Sequence, residues 1–123
     1  MSNPKIIMTD EDLDGKLQLF CYDYCNNQSS NEVKQSRGLI YKNGKPFLKS
    51  FGFTPQYTLN DINVINNIKE NFNKLSFFDS YEGTLLRLFY NDINDKWYLS
   101  THRKLNADKS KWGSNETFGE KFR

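Results

Sequence analysis

In the run KLQLFCYDYC (16–25), Leu17, Leu19 and Cys21 occupy every second position, with Asp23 next on the same side. That period-2 spacing predicts a strand, because successive side chains of an extended chain point to opposite faces. NNQSSNE (26–32) has the composition of a loop. SRGLIYKNGKPFLKSFGF (36–53) reads as two short strands about a turn at Asn43-Gly44. A two-residue hairpin turn needs positive φ at both positions, and Asn-Gly supplies it readily. Farther on, Ile65, Ile68, Phe72 and Leu75 recur at intervals of three and four. They predict an apolar stripe along a helix that Thr58 or Asn60 would cap. Strands follow near 83–91 and 96–101, joined by a polar turn at 91–95. KLNADKSKWGS (104–114) is irregular and basic, and a helix begins between Ser114 and Phe122. The pattern predicts an α+β chain of antiparallel sheets with one main helix. It forms a single domain over 1–123, in which the polar residues 1–15 are an acidic, flexible lead-in to a folded part over 16–123.

Composition changes this picture only in its chemistry. The 123 residues are enough for one compact domain. Asn, Lys, Ile, Tyr and Phe are heavily used while Pro is scarce, a bias that suggests an AT-rich genome. The net charge of +2 is small, but the charges are segregated. Asp10, Glu11, Asp12 and Asp14 crowd the start of the chain, whereas no acidic residue lies between Glu32 and Asp61. That interval carries Lys34, Arg37, Lys42, Lys45 and Lys49, and a second basic cluster holds His102, Arg103, Lys104, Lys109 and Lys111. Two basic segments with aromatics between them suit an anionic partner, RNA or a nucleotide. The alternative is a solvated surface of scattered lysines.

Several classes of function are excluded or left without a signal. No signal-peptide pattern and no membrane-spanning apolar run is present, so an intracellular setting without a membrane partner is expected. Cys21 and Cys25 would lie about 13 Å apart on one face of an extended strand, too far for a disulfide, and read as buried free thiols. Asp10, Asp12, Asp14 and Gly15 imitate the start of a calcium loop, but its twelfth position is Cys21 where a bidentate Glu is required. No metal and no cofactor is expected. The Gly-Lys of NGKPFLKS lacks the spacing of a phosphate-cradling loop. Trp97 and Trp112 read as packing residues.

Four separated pieces occur in a known order. SRGLIY (36–41) resembles the Arg-Gly strand upstream of the nucleophile in RNA ligases of the T4 RNA ligase 1 type, and PFLKSFGF (46–53) resembles the segment that follows it. SYEGTLL (80–86) resembles the Lys-x-Asp-Gly nucleophile motif, and LSTHRKL (99–105) resembles the strand after it. The resemblance covers about residues 17–112 and is to the covalent nucleotidyltransferase superfamily. It implies the fold of the first half of a nucleotidyltransferase domain, and together with the composition it suits a large DNA virus, with the protein in the host cytoplasm or virion.

The resemblance also says which residues matter. It places Arg37, Lys49, Phe51, Glu82 and Gly83 around a nucleotide, and Lys34, Lys42, Lys45, His102, Arg103 and Lys104 on elements flanking that pocket, where they would meet nucleic acid. The nucleophile position holds Ser80, which cannot form the lysine phosphoramidate of the family. The expectation is therefore a catalytically inactive, truncated RNA-ligase-like module that binds RNA, a nucleotide or a protein, with self-association or a protein partner at its exposed edges. One alternative is part of a split RNA ligase or mRNA capping enzyme, completed by another chain. Another is a structural or interaction protein whose old pocket is filled by side chains. Each residue also has a plainer reading: Arg37 as a paired strand residue, Phe51 as core, Glu82-Gly83 as a turn.

Overall fold

The computed structural model describes residues 5–81, 83–109 and 116–122. It is α+β, with two antiparallel sheets and few helices. The chain divides into two compact units, Met1–Phe53 with Thr84–Arg123, and Thr54–Gly83.

In the first unit a four-stranded sheet runs in sequence order: β1 (Ile6–Asp12), β2 (Leu17–Tyr22), β3 (Arg37–Lys42) and β4 (Lys45–Leu48). β5 (Arg87–Asn91) and β6 (Lys96–Ser100) form a second, two-stranded sheet. The period-2 reading of β2 holds, for Leu17, Leu19 and Cys21 are buried while Gln18, Phe20 and Tyr22 are partly exposed on the other face. Leu17, Leu19 and Ile40 pack with Phe89 of β5 and with Leu105, so the core lies where the two sheets face each other. Burying each such side chain stabilises by about 1.5–3 kcal/mol. The rings order the contact further: Phe89 stacks on Tyr98 at 5.2 Å and meets Phe47 edge-on at 5.8 Å.

The β3–β4 turn is the predicted one, with φ of 52° at Asn43 and 77° at Gly44. A short helix, α1 (Asn31–Gln35), stands between β2 and β3 and begins at the end of the stretch 26–32 read as loop. Ser30 caps it by accepting from the Val33 N–H at 3.3 Å. The last helix, α3 (Phe118–Phe122), falls in the predicted stretch, while Ser114, its expected cap, and Trp112 lie outside the described residues.

The flexible lead-in is corrected. Residues 6–12 form β1, paired antiparallel with β2. Its carboxylates hold distant parts of the chain: Asp10 accepts from the Leu105 N–H at 2.8 Å and Asp12 from the Tyr98 hydroxyl at 2.6 Å. Trp97 is also not a packing residue, being 68% exposed on the outer face of β6, where it tilts against Tyr90. Of the two thiols, Cys21 is buried and Cys25 only partly so, and both are free.

In the second unit, α2 (Ile62–Glu70) is shorter than its apolar stripe, and a single 3₁₀ turn follows at Phe72–Lys74. Its entry is organised by Asp61, whose carboxylate accepts from the Thr58 N–H at 2.7 Å, rather than by a cap from Thr58 or Asn60. None of the helix residues is buried. Among the described residues, no helix is long and apolar enough to cross a membrane.

Leu19 is fully buried at the centre of the core. Leu19→Ala is expected to lower the stability of the first unit by about 2–5 kcal/mol, read from the midpoint of urea unfolding followed by circular dichroism. A loss under 1 kcal/mol would mean that the two sheets do not close on this residue.

Candidate functional site

The Arg-Gly pair is placed by an irregularity in β3. Phe20 faces Leu39, but the next pair along is Cys21 with Arg37, so Gly38 is an extra residue in its strand. Such a bulge re-aims the side chain beside it. Cross-strand partners share a face, so Arg37 falls on the side of Cys21 and the core instead of the outer side with Leu39. Gly38 takes φ +72°, and a Cβ there would come within 2.9 Å of Arg87 Nη1 and 3.0 Å of His102 Cδ2.

Arg87 enters from β5, where Arg87, Phe89 and Asn91 point inward and Leu88 and Tyr90 outward. Its guanidinium is buried, 8% exposed. Nε donates to Ser100 Oγ at 3.2 Å, Nη2 to the Thr101 carbonyl at 2.9 Å, and Nη1 to the Gly38 carbonyl. All three acceptors are neutral oxygens. Burial pulls its pKa down to about 10, so it remains charged at neutral pH. His102 is pushed from 6.5 to about 4, first by burial and then by Arg37 and Arg87, and it is therefore neutral at pH 7. Its Nε2 is buried with no hydrogen-bond partner among the described residues.

The cluster thus holds two guanidinium charges and one neutral imidazole. An anion beside Arg37 would receive charge-assisted hydrogen bonds. His102 is a weak base at pKa 4 and contributes polarity rather than charge. Arg87 had no part in the sequence reading; the alternation in β5 sets Arg, Phe and Asn on one side and Leu and Tyr on the other, and does not by itself say which side is buried.

Other residues singled out by sequence are dispersed. Lys49 is exposed on the opposite side of the sheet, beside Phe20 and Tyr41. Phe51 is 79% exposed, which removes the core reading. Ser80 and Gly83 are exposed in the second unit, Gly83 at φ +152°, while Glu82 lies outside the described residues. Several basic residues are engaged structurally. Lys34 donates to the Asn27 carbonyl at 2.8 Å, and Arg103 to the Tyr22 carbonyl at 2.7 Å. Lys42 pairs with Asp92 at 2.8 Å and lies over the Phe47 ring. Lys45 is exposed at the hairpin, and Lys104 closes a turn through its N–H to Thr101 Oγ1. Among the described residues, no group of three His, Cys, Asp or Glu could hold a metal ion.

The chain is 35% identical over 103 residues to the immediate-early protein ICP-46 homolog of Invertebrate iridescent virus 3. It is 37% identical over 116 residues to the protein of that name from Invertebrate iridescent virus 6. These matches take in 77% and 91% of this chain but 22% and 24% of the relatives. The chain therefore spans about a quarter of the length of the curated relatives it matches. No family model matches the chain. No solved structure matches it either. Iridescent viruses are large DNA viruses, in agreement with the source expected from the resemblance and the composition together. Neither relative's name refers to nucleotide transfer or to RNA.

Two outcomes follow from the cluster. Gly38→Ala combines a positive φ with a Cβ pressed on a pinned guanidinium and should cost about 2–5 kcal/mol in urea unfolding; a cost below 1 kcal/mol would contradict the close packing. Between pH 6.5 and pH 4 the unfolded chain binds a proton at His102 that the folded chain does not. Its stabilising contribution is complete above pH 6.5 and is lost as pH falls toward 4. Urea midpoints measured across that window should fall with pH, and His102→Gln should flatten the slope. An imidazole that titrates near 6.5 by NMR would refute this.

Proposed function

We propose that this chain is a catalytically inactive RNA-ligase-like domain that binds RNA or a nucleotide through phosphate. The observation that carries this reading is the cationic cluster at the Gly38 bulge. Arg87 is buried on neutral acceptors, and Arg37 lies close enough to help depress His102. Positive charge with no carboxylate bonded to it among the described residues is what a phosphate partner neutralises. The order of the four sequence pieces supports the same reading.

Covalent transfer would need an amine at position 80. A serine hydroxyl keeps its proton at neutral pH and requires an adjacent base to attack phosphorus. The alternative in which the chain is one part of a split RNA ligase or mRNA capping enzyme, completed by another chain, draws support from the quarter-length match to the viral relatives. It differs in one respect, that a second polypeptide supplies what Ser80 lacks.

Incubation with radiolabelled ATP or GTP and magnesium should leave no acid-stable label on the protein. Label on the chain alone would overturn the inactive reading, and label appearing only with a companion polypeptide would favour the split enzyme. Short single-stranded RNA should bind with a salt slope of about −2 to −3.5, at roughly −0.7 for each of three to five phosphates contacted. Arg37→Ala should reduce the slope by about 0.7 and weaken all sequences alike, since phosphate contacts carry no sequence information. Absence of RNA and nucleotide binding at low salt would leave an interaction protein as the better account.

A further inference from the structure

The outer face of the four-stranded sheet is built differently from the cationic cluster. β2 and β3 present there the residues that alternate away from the core, among them Phe20, Leu39 and Tyr41. All three are only partly covered. They floor a groove of about 560 Å³, within the size range of small-ligand sites. Phe20 and Tyr41 have ring centroids 5.3 Å apart and planes tilted by 57°, so a flat ligand can lie face-on to one ring and against the edge of the other. The rest of the lining is mixed: Ile6 and Pro46 are apolar, and polar and charged side chains reach in beside them. Glu32 and Gln35 come from α1, and Lys49 comes from the end of β4.

The aromatic, polar and charged parts of this lining have counterparts in one kind of ligand. Aromatic rings on a sheet stack on unpaired bases, because every base has a π-face. The Gln35 amide carries both donors and an acceptor, and the Glu32 carboxylate accepts, which is the equipment for reading a base edge. Lys49 supplies a point charge for the adjoining phosphate. A purely apolar peptide would leave Glu32, Gln35 and Lys49 unmatched. A duplex could not offer a base face to the floor.

We infer that this groove holds one unpaired base of a single-stranded nucleic acid, stacked on one of the Phe20 and Tyr41 rings and packed against the edge of the other, with its own edge against Gln35 and Glu32 and its phosphate at Lys49. The inference rests on the RNA-binding reading above but concerns a separate face of the sheet, and none of its base contacts belongs to the Arg37 cluster. The two sites divide the work between them. The cluster holds phosphate without regard to sequence, and the groove discriminates among bases.

The experiment uses the full chain and labelled ten-nucleotide homopolymers of A, U and C, read by fluorescence anisotropy over a range of salt. Phe20→Leu and Tyr41→Leu keep the face apolar and remove the ring. Each should weaken binding about five- to a hundredfold with the salt slope unchanged. Lys49→Ala should reduce the slope by about 0.7. Gln35→Ala, at an exposed helix position, should alter the ratio of affinities among the three homopolymers while leaving the slope intact. Thermal melts check that each variant is folded, and a Phe20→Leu chain that unfolds leaves the exposed Gln35 and Lys49 variants to decide. Wild-type binding that none of these variants changes would sink the groove and spare the phosphate cluster. Binding abolished by Arg37→Ala alone would do the same. No binding by the wild-type chain at low salt would overturn both proposals.

Discussion

The guanidinium of Arg87 is the point on which the first unit turns. It sits on β5 and donates to a carbonyl on β3 and to two oxygens at the end of β6, so one planar cation joins the two sheets. Its fork shape matters, since the guanidinium spreads its donors over three nitrogens in one rigid plane, whereas the three donors of a lysine radiate from a single atom. Leu17, Leu19, Ile40, Phe89 and Leu105 supply the apolar area between the sheets, but that contact is non-directional. The hydrogen bonds of Arg87 fix how the sheets register. They also account for Gly38, whose missing side chain is the space the guanidinium occupies.

That packing has an electrostatic result. A buried cation held by neutral dipoles raises the potential of everything beside it. His102 loses its charge first because it is buried, and the field of Arg37, turned inward by the bulge, and then of Arg87 adds to that effect. The segment 101–105 that carries His102 is tied down from both directions. Arg103 donates to the Tyr22 carbonyl, and the Leu105 N–H reaches Asp10. The cluster is therefore built on rigid strands and a pinned turn, which suits a preorganised anion site.

Much of this fold was legible before any coordinates. The alternation of Leu17, Leu19 and Cys21, the Asn43-Gly44 turn and the polar 91–95 turn each fix a local geometry through a single physical rule. What escaped was structure that depends on partners elsewhere. β1 begins Ile-Ile-Met and then turns acidic, so its composition reads as solvent-loving. It becomes a strand because β2 offers an edge and because Asp10 and Asp12 are acceptors for Leu105 and Tyr98, ninety or so residues away. Arg87 escaped for a related reason. Its inward position follows from three distant oxygens, and period-2 alternation alone cannot choose between a face of Arg, Phe and Asn and one of Leu and Tyr. Of the candidate site, Arg37 and His102 were named from sequence and are brought together, whereas Lys49 proved to belong to the other side of the sheet.

The first unit is discontinuous, with Thr54–Gly83 set between β4 and β5. The four strands of the larger sheet are meander neighbours and can pair as soon as they are made. Their apolar face stays open until β5, β6 and Leu105 arrive, about fifty residues later. Contacts of such separation close slowly because loop closure precedes any stabilising contact. During synthesis on the ribosome the nascent sheet is therefore a transient surface of Leu17, Leu19 and Ile40. For several seconds, at ordinary elongation rates of about 5–20 residues per second, it is open to chaperones or to another nascent copy.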